Sequence, residues 1–232
     1  MVECDLAKVD VAGSNPVSRS ILFMLFMIGR FVVFGLAVAS FALGQEYKLE
    51  ALNAPPPSLP AAYSAVISTQ GYRVVGPKGP WCEIWLRKSI PSGAKSSDMA
   101  IAFPIAQGTL LGIFRFPAGG EDRRGQPIKA GVYTMRYSNF PVDGAHQGVA
   151  PQRDFALLTP IANDSDPTAM PAFEALVAQS KTSGTAHPAV FSLEPPTGSS
   201  FPAVAKEGEH DWVLSAKAGD LAIAMIVAGK AE

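Results

Sequence analysis

Residues 131–138, GVYTMRYS, give the clearest indication of how this chain folds. The two tyrosines and the methionine of this segment alternate with Thr134, Arg136 and Ser138, and a period of two is the pattern of a β-strand. The aromatic and apolar residues would point into a core, whereas the other three would face water. The segment therefore predicts a strand with one buried and one solvated face.

Similar strand patterns recur along the chain, separated by clusters of Pro, Gly, Asn and Asp. The sequence YRVV, a GPKG turn and WCEIWLRK predict a hairpin over residues 72–88. Two short amphipathic patterns, at residues 59–70 and 169–180, predict helices. Many strands without alternating helices favour a mainly β fold, an antiparallel β-sandwich or partly closed barrel with two short helices. The further predicted strands lie at residues 109–116, 153–160, 189–194, 211–217 and 220–228.

The N-terminal region has the three-part pattern of a secretory signal peptide over residues 27–44. Arg30 lies ahead of a short apolar run that ends in small residues before Gln45, and that run is too short to span a bilayer comfortably. We expect cleavage there, export to the periplasm or the exterior of a bacterium, and one domain over residues 45–232. The alternative is an uncleaved membrane anchor at residues 21–43.

The first 26 residues precede this signal pattern and look like neither a folded domain nor an export signal. Back-translation of Gly13, Ser14, Asn15 and Pro16 with ordinary codons resembles the T-arm of a bacterial transfer RNA gene, and the codons of residues 4–10 can form a stem and loop upstream. Residues 1–20 therefore resemble a translated fragment of such a gene. We interpret residues 1–26 as a misassigned start, with Met27 as the true one.

Charge and cysteine content narrow the function classes. The formal net charge of -1 gives no basic surface for nucleic acid, so nucleic acid is not expected as a partner, and the membrane enters only through the signal segment. Cys82 is the one cysteine after residue 44, so an internal disulfide is excluded in the exported domain. Its apolar surroundings predict a buried, unreactive thiol.

The stretch RGQPIKAGVYTMRY, residues 124–137, resembles the strand entry of many secreted bacterial β-sandwich proteins, including an uncharacterised family. The likeness extends over residues 125–159. It implies an exported sandwich and no particular chemistry, because function resides in a site and not in a fold.

The densest polar stretch, PVDGAHQGVAPQRDF at residues 141–155, gives the first candidate site. We expect a loop here that feeds a strand, and loops on a rigid sheet are where binding groups concentrate. The simpler interpretation gives Arg153 and Asp154 structural contacts at the strand entrance. The leading hypothesis is a non-catalytic domain that binds an unknown ligand or protein at this loop end, with no cofactor and no assigned catalytic residue. Its candidate binding residues are Asp143, His146, Gln147, Arg153 and Asp154.

Two other functions remain open. A metal-assisted hydrolase would need His146, His187, His210 and Asp211 to converge, although their spacing matches no known metal motif. A carbohydrate-binding module would use Trp81 and Trp85, which strict alternation places on one side of a strand, about 13 Å apart at ~3.3 Å per residue. Burial of both tryptophans in the core is the simpler interpretation.

Overall fold

A computed structural model describes residues 46–141 and 153–230, which belong to one compact unit. The predicted signal segment and start region, and the candidates Asp143, His146 and Gln147, lie outside the described residues. Among the described residues, no helix is long and apolar enough to cross a membrane.

In chain order the elements are β1 Lys48–Leu52, α1 Ala61–Ser64, β2 Gly71–Gly76, β3 Gly79–Leu86, β4 Leu110–Phe116, β5 Gly120–Glu121, β6 Pro127–Ile128, β7 Gly131–Asn139, β8 Asp154–Pro160, a 3-10 turn Ile161–Asn163, α2 Phe173–Lys181, β9 Val190–Glu194, β10 Ala203–Glu207, β11 Asp211–Ala218 and β12 Leu221–Ala228.

Ten strands form one antiparallel sheet in the order β1-β2-β3-β4-β7-β8-β9-β12-β11-β10. The sheet curls until its edge strands β1 and β10 approach each other, so that it is nearly closed into a barrel. The short strands β5 and β6 pair with each other outside this sheet. The predicted mainly β, partly closed antiparallel fold with two helices is confirmed.

The interior of the sheet is filled by apolar side chains, as the alternation of β7 predicts. Tyr133, Met135 and Tyr137 of that strand are buried there with Phe114 and Phe191. Cys82 is also in this core, and burial followed by the charge of Glu83 raises the pKa of its thiol well above the usual value. The prediction of a buried and unreactive cysteine agrees with this position.

The expectation that β7 has a solvated face is wrong. Thr134, Arg136 and Ser138 are all fully buried. The chain that follows β8 covers Thr134 and Arg136 through Asp164, and the β3–β4 connection contacts Ser138 through Gln107. Asp164, just after the 3-10 turn, binds the Arg136 guanidinium through Nε at 2.6 Å and Nη2 at 2.8 Å. The alternation does identify a strand, but the second face is covered by protein instead of water.

Both predicted helices exist but are shorter than the patterns suggest. The first has a single turn, since the chain after Ser64 joins the sheet through a bridge between Ile67 and Arg87. The second begins at Phe173, because Thr168 bonds the Asp166 carboxylate through both its backbone N–H and its hydroxyl instead of capping a helix. The helix α2 packs Leu176 against the outer face of β8.

Candidate functional site

Asp154, a candidate binding residue, is fully buried at the start of β8. Its carboxylate accepts the backbone N–H groups of Ala102 at 2.8 Å and Phe103 at 3.3 Å, and it accepts the hydroxyl proton of Tyr137. Burial and then this last hydrogen bond raise the pKa of Tyr137. Asp154 thus fastens the β3–β4 connection to the sheet, which is the structural role that the simpler interpretation gives it.

Arg153 is used in the same way. Its guanidinium forms an ion pair with Asp98, and its Nε donates to the carbonyl oxygen of Phe140 at 2.8 Å. Its backbone N–H bonds the carbonyl oxygen of Ala100 at 3.1 Å. Both described members of the predicted binding loop therefore hold the β3–β4 connection in place.

The residues of the alternative metal site have other contacts. Asp211 receives Nε and Nη2 of Arg123 at 3.0 and 2.8 Å, while His210 lies 3.8 Å from a carboxylate oxygen of Glu209. Within residues 46–141 and 153–230, no group of three or more His, Cys, Asp or Glu side chains is arranged to hold a metal ion. The remaining proposed ligand, His146, lies outside that part of the chain.

Trp81 and Trp85 do not share one side of β3, contrary to the expectation from strict alternation. The pairing of β3 with β2 passes from Cys82 opposite Val74 to Pro80 opposite Val75, so Trp81 is the extra residue of a β-bulge. A bulge locally disrupts the ladder and redirects the side chain. Trp81 consequently packs against the main core, and Trp85 belongs to a separate cluster on the outer face.

Trp85, and Glu83 between the two tryptophans in the chain, are buried and leave no free surface for a sugar ring. Trp85 is 2% exposed, and its Nε1 donates to the carbonyl oxygen of Ala54 at 2.8 Å. The buried Glu83 carboxylate is held between Arg73 and Arg115, at 2.7 and 2.6 Å. Trp81 alone of this predicted pair is half-exposed.

Half-exposed Trp81 belongs to an aromatic cluster at one end of the nearly closed sheet, which we call the aromatic end and define by Tyr47, Trp81 and Trp212. The centroid of the Tyr47 ring lies 6.3 Å from that of Trp81, edge to face, and 5.3 Å from that of Trp212. Trp81 is held in place by an Nε1 bond of 2.8 Å to the carbonyl oxygen of Val227. The three side chains are neither buried nor fully exposed.

The local sequence explains why these rings meet. Tyr47 directly precedes the edge strand β1, and its ring lies over Gly76, where a Cβ atom would approach the ring to 2.8 Å. Trp212 lies at the irregular start of β11, where the pairing with β12 shifts between Trp212 and Val213. Two strand irregularities and one glycine therefore bring residues from distant parts of the chain together.

Three concave surfaces meet at Tyr47. Two of them, of about 360 and 230 Å³, are both lined by Tyr47, Trp81 and Glu121. The third is an open groove of about 520 Å³ between the edge strands, lined by Leu49 and Val204 among others. Pockets that hold small molecules usually measure about 300–1,000 Å³ and combine apolar walls with a few polar groups.

Polar groups border these concave surfaces. Glu121 and His210 line the smaller of the two flanking cavities together with Lys230. Burial is the main cause that raises the pKa of Tyr47, and the negative charge of Glu121 adds to it, so the hydroxyl stays protonated at neutral pH. The arrangement offers aromatic faces, hydroxyl, carboxylate and ammonium groups within one area of the surface.

Sequence reasoning missed this area, although it identified Trp81. Tyr47 and Trp212 are each lone aromatic residues beside charged ones, in the segments EYK and HDW. A local signal does exist, because each aromatic residue lies at the start of a strand. Its meaning depends on the closure of the sheet, which joins residues 47, 81 and 212.

Comparison with protein-family models, curated proteins and solved structures finds no match for this chain. The candidate site therefore rests on the geometry described above.

Proposed function

We propose that this protein is an exported, non-catalytic binding domain that takes a small ligand at the aromatic end. Export is inferred from the signal-peptide pattern of residues 27–44, and the binding role from the aromatic end. The leading sequence hypothesis placed ligand binding at the loop that ends in Arg153 and Asp154. Those two side chains have structural partners, so we assign the ligand to the opposite end of the sheet.

The observation that carries this proposal is the convergence of three concave surfaces on half-exposed rings. Burying aromatic rings contributes a large share of the binding free energy of many interfaces. A ring that is partly exposed in a concavity can still contribute binding free energy when a ligand covers it. Trp81 is anchored by its bond to Val227, and the rigidity of the sheet fixes its orientation. A ligand would therefore meet a preformed surface and lose little energy to ordering it.

A second candidate, carbohydrate binding, is favoured by the composition of the same surface. Amphipathic rings beside hydroxyl, carboxylate and ammonium groups suit a ligand whose ring faces are apolar and whose edges carry hydroxyls. The sequence predicted a carbohydrate site formed by Trp81 and Trp85. The site proposed here retains Trp81 and uses Tyr47 and Trp212 in place of Trp85.

The test is a tryptophan-fluorescence and NMR screen of the purified full chain against neutral oligosaccharides, acidic oligosaccharides and aromatic acids. Two of the three tryptophans of the chain belong to the aromatic end, so binding there should change the emission. We expect at least one compound to bind, and the Trp212→Ala variant to lose that binding. The matched control is Phe173→Ala, which removes a half-exposed ring from α2.

Undiminished binding by a folded Trp212→Ala chain would contradict the proposal, as would an equal loss of binding in Phe173→Ala or the absence of binding by every compound. Loss or survival of binding in Trp212→Ala can be interpreted only if the variant is folded, which circular dichroism checks. If that variant does not fold, Trp212→Phe with a lowered affinity gives the same test.

A further inference from the structure

Each of the three concave surfaces that meet at Tyr47 contains one lysine. Lys78 lines the cavity of about 360 Å³, Lys230 the cavity of about 230 Å³, and Lys48 the groove of about 520 Å³. All three lysines are exposed. Glu121 is the carboxylate that the two cavities share, so the residues that line the three surfaces carry more positive than negative charge.

None of these three lysines forms an ion pair with any residue that the structure describes. The other lysines of the described residues likewise form no ion pair, whereas arginines do, with Arg73 and Arg115 on Glu83 and Arg123 on Asp211. What distinguishes the three lysines is that each lines a concave surface that Tyr47 also lines. The chain as a whole carries a net charge of -1, so a local excess of cations is not a consequence of composition. A lysine ammonium is a compact point charge with three donors and suits a carboxylate ligand.

The lysines are distributed over separate concavities around one set of rings. A ligand with one ring and one carboxylate could use only one of them. A ligand with several rings in a row and a carboxylate on each could use two or three, with its ring faces against the aromatic side chains and its hydroxyls near Glu121 and His210. We propose that the ligand is an acidic oligosaccharide, a chain of sugar rings that carry carboxylates. This inference rests on the proposed function, because it names the ligand class of the same site.

The experiment is isothermal titration calorimetry of the purified full chain with four probes. These are trigalacturonate, the neutral trisaccharide cellotriose, monomeric galacturonate and benzoate. We expect trigalacturonate to bind most tightly, and its affinity to fall as NaCl is raised, because exposed charges are screened over about 10 Å at 0.1 M salt.

The matched variants are Lys78→Gln and Lys230→Gln, each alone and both together, with Lys95→Gln as the control. Lys95 is an exposed lysine in the β3–β4 connection, at the other end of the sheet. Each site variant should weaken trigalacturonate binding by up to about fivefold, the range of an exposed ion pair. The double variant should weaken it further, and Lys95→Gln should leave it unchanged.

The remaining outcomes separate this inference from the function on which it rests. Equal binding of cellotriose, with no effect of the lysine variants and loss in Trp212→Ala, would overturn the acidic ligand and retain the binding site. Equally tight binding of galacturonate or benzoate would overturn the oligosaccharide and indicate a single-ring acid. If none of the four probes binds, the acidic-oligosaccharide inference is wrong. The fluorescence and NMR screen described above then tests the proposed binding function independently.

Discussion

Two regions of the molecule place charged side chains next to a tyrosine: the buried pair of Arg136 and Asp164, and the aromatic end. They differ in whether those charged groups have partners within the fold. All five N–H donors of Arg136 have an acceptor: two carboxylate oxygens of Asp164 and three backbone carbonyl oxygens. Tyr63 completes this buried region with a hydroxyl bond of 2.7 Å to the Asp164 carbonyl oxygen. Around Tyr47, the lysines lack carboxylate partners among the described residues. The contrast separates charged groups that already have partners within the fold from charged groups that a ligand could still engage.

The largest effect should come from removing the charge of Asp164. Asp164→Asn leaves the Arg136 guanidinium buried without its counter-ion, so we expect the free energy of unfolding to fall by about 3 kcal/mol at pH 7. Chemical denaturation measures this. Asp166→Asn is the matched control, because the Asp166 side chain is exposed and only its backbone carbonyl contacts Arg136. Equal losses in the two variants would contradict the assigned role.

The same variant has a pH signature. Burial alone would raise the pKa of Asp164, but the hydrogen bonds from Arg136 and Thr134 outweigh it and hold the pKa below the usual 3.8. A lowered carboxyl pKa gives stability that is present above the unfolded value and is lost as pH falls through the folded value. The difference between wild type and Asp164→Asn should therefore shrink below about pH 4.

A smaller and more selective effect should come from two tyrosine hydroxyls. Tyr137→Phe removes the hydroxyl bond to the buried Asp154 carboxylate, and we expect a loss of about 1.5 kcal/mol in the free energy of unfolding, as for hydrogen bonds to charged groups. Tyr47→Phe removes a hydroxyl with no hydrogen bond to the described residues and should cost less than about 0.5 kcal/mol. Urea denaturation measures the free energy of unfolding of both variants. A larger loss for Tyr47→Phe than for Tyr137→Phe would contradict the proposed difference between the two regions.

The smallest effect concerns Glu194 on β9. Burial, followed by the negative charges of Glu207 and Asp211, raises the pKa of Glu194 above the usual 4.5. Its contribution to stability is therefore complete below the unfolded pKa and is lost as pH rises through the folded one. Glu194→Gln should be more stable than wild type at pH 7 by less than about 1 kcal/mol, allowing for its partial exposure.

At pH 4 that advantage should nearly vanish, because the glutamate is then largely protonated. Thermal denaturation at the two pH values tests this. Glu209→Gln, which changes a side chain that is 86% exposed, should show no such dependence. An advantage of Glu194→Gln that is the same at both pH values would show that charge is not the cause.

The strands of the fold could be predicted from the sequence wherever alternation was long. The strand β7 shows both the strength and the limit of that signal, since its inner face is as predicted and its outer face is not. The cover over Thr134 and Arg136 comes from the turn near Asp164, about 30 residues later, and no local period carries that information. The edge strands β1 and β10 were missed because each has only five residues, and in neither do buried and exposed positions alternate.

The candidate site was less accessible to prediction for two physical reasons. The bulge at Trp81 breaks the alternation from which the pairing of Trp81 with Trp85 was inferred, and a bulge of one residue leaves no clear mark in a short aromatic strand. The dense polar loop attracted attention because Arg153 and Asp154 are charged, yet both groups already have partners. The guanidinium contacts Asp98 and the Phe140 carbonyl oxygen, and the carboxylate contacts Tyr137 and two backbone N–H groups. Tertiary partners, and not residue type, decide which charges are available.

The opening between β1 and β10 also bears on how copies of this chain behave at high concentration. An exposed strand edge is a template on which another chain can add a strand, and natural proteins guard such edges with charged side chains. Lys48 and Glu50 stand on one edge, and Lys206 and Glu207 on the other. Edge-to-edge pairing of two copies would crowd these charged side chains and remove their water, so we expect them to disfavour the addition of a strand from another copy.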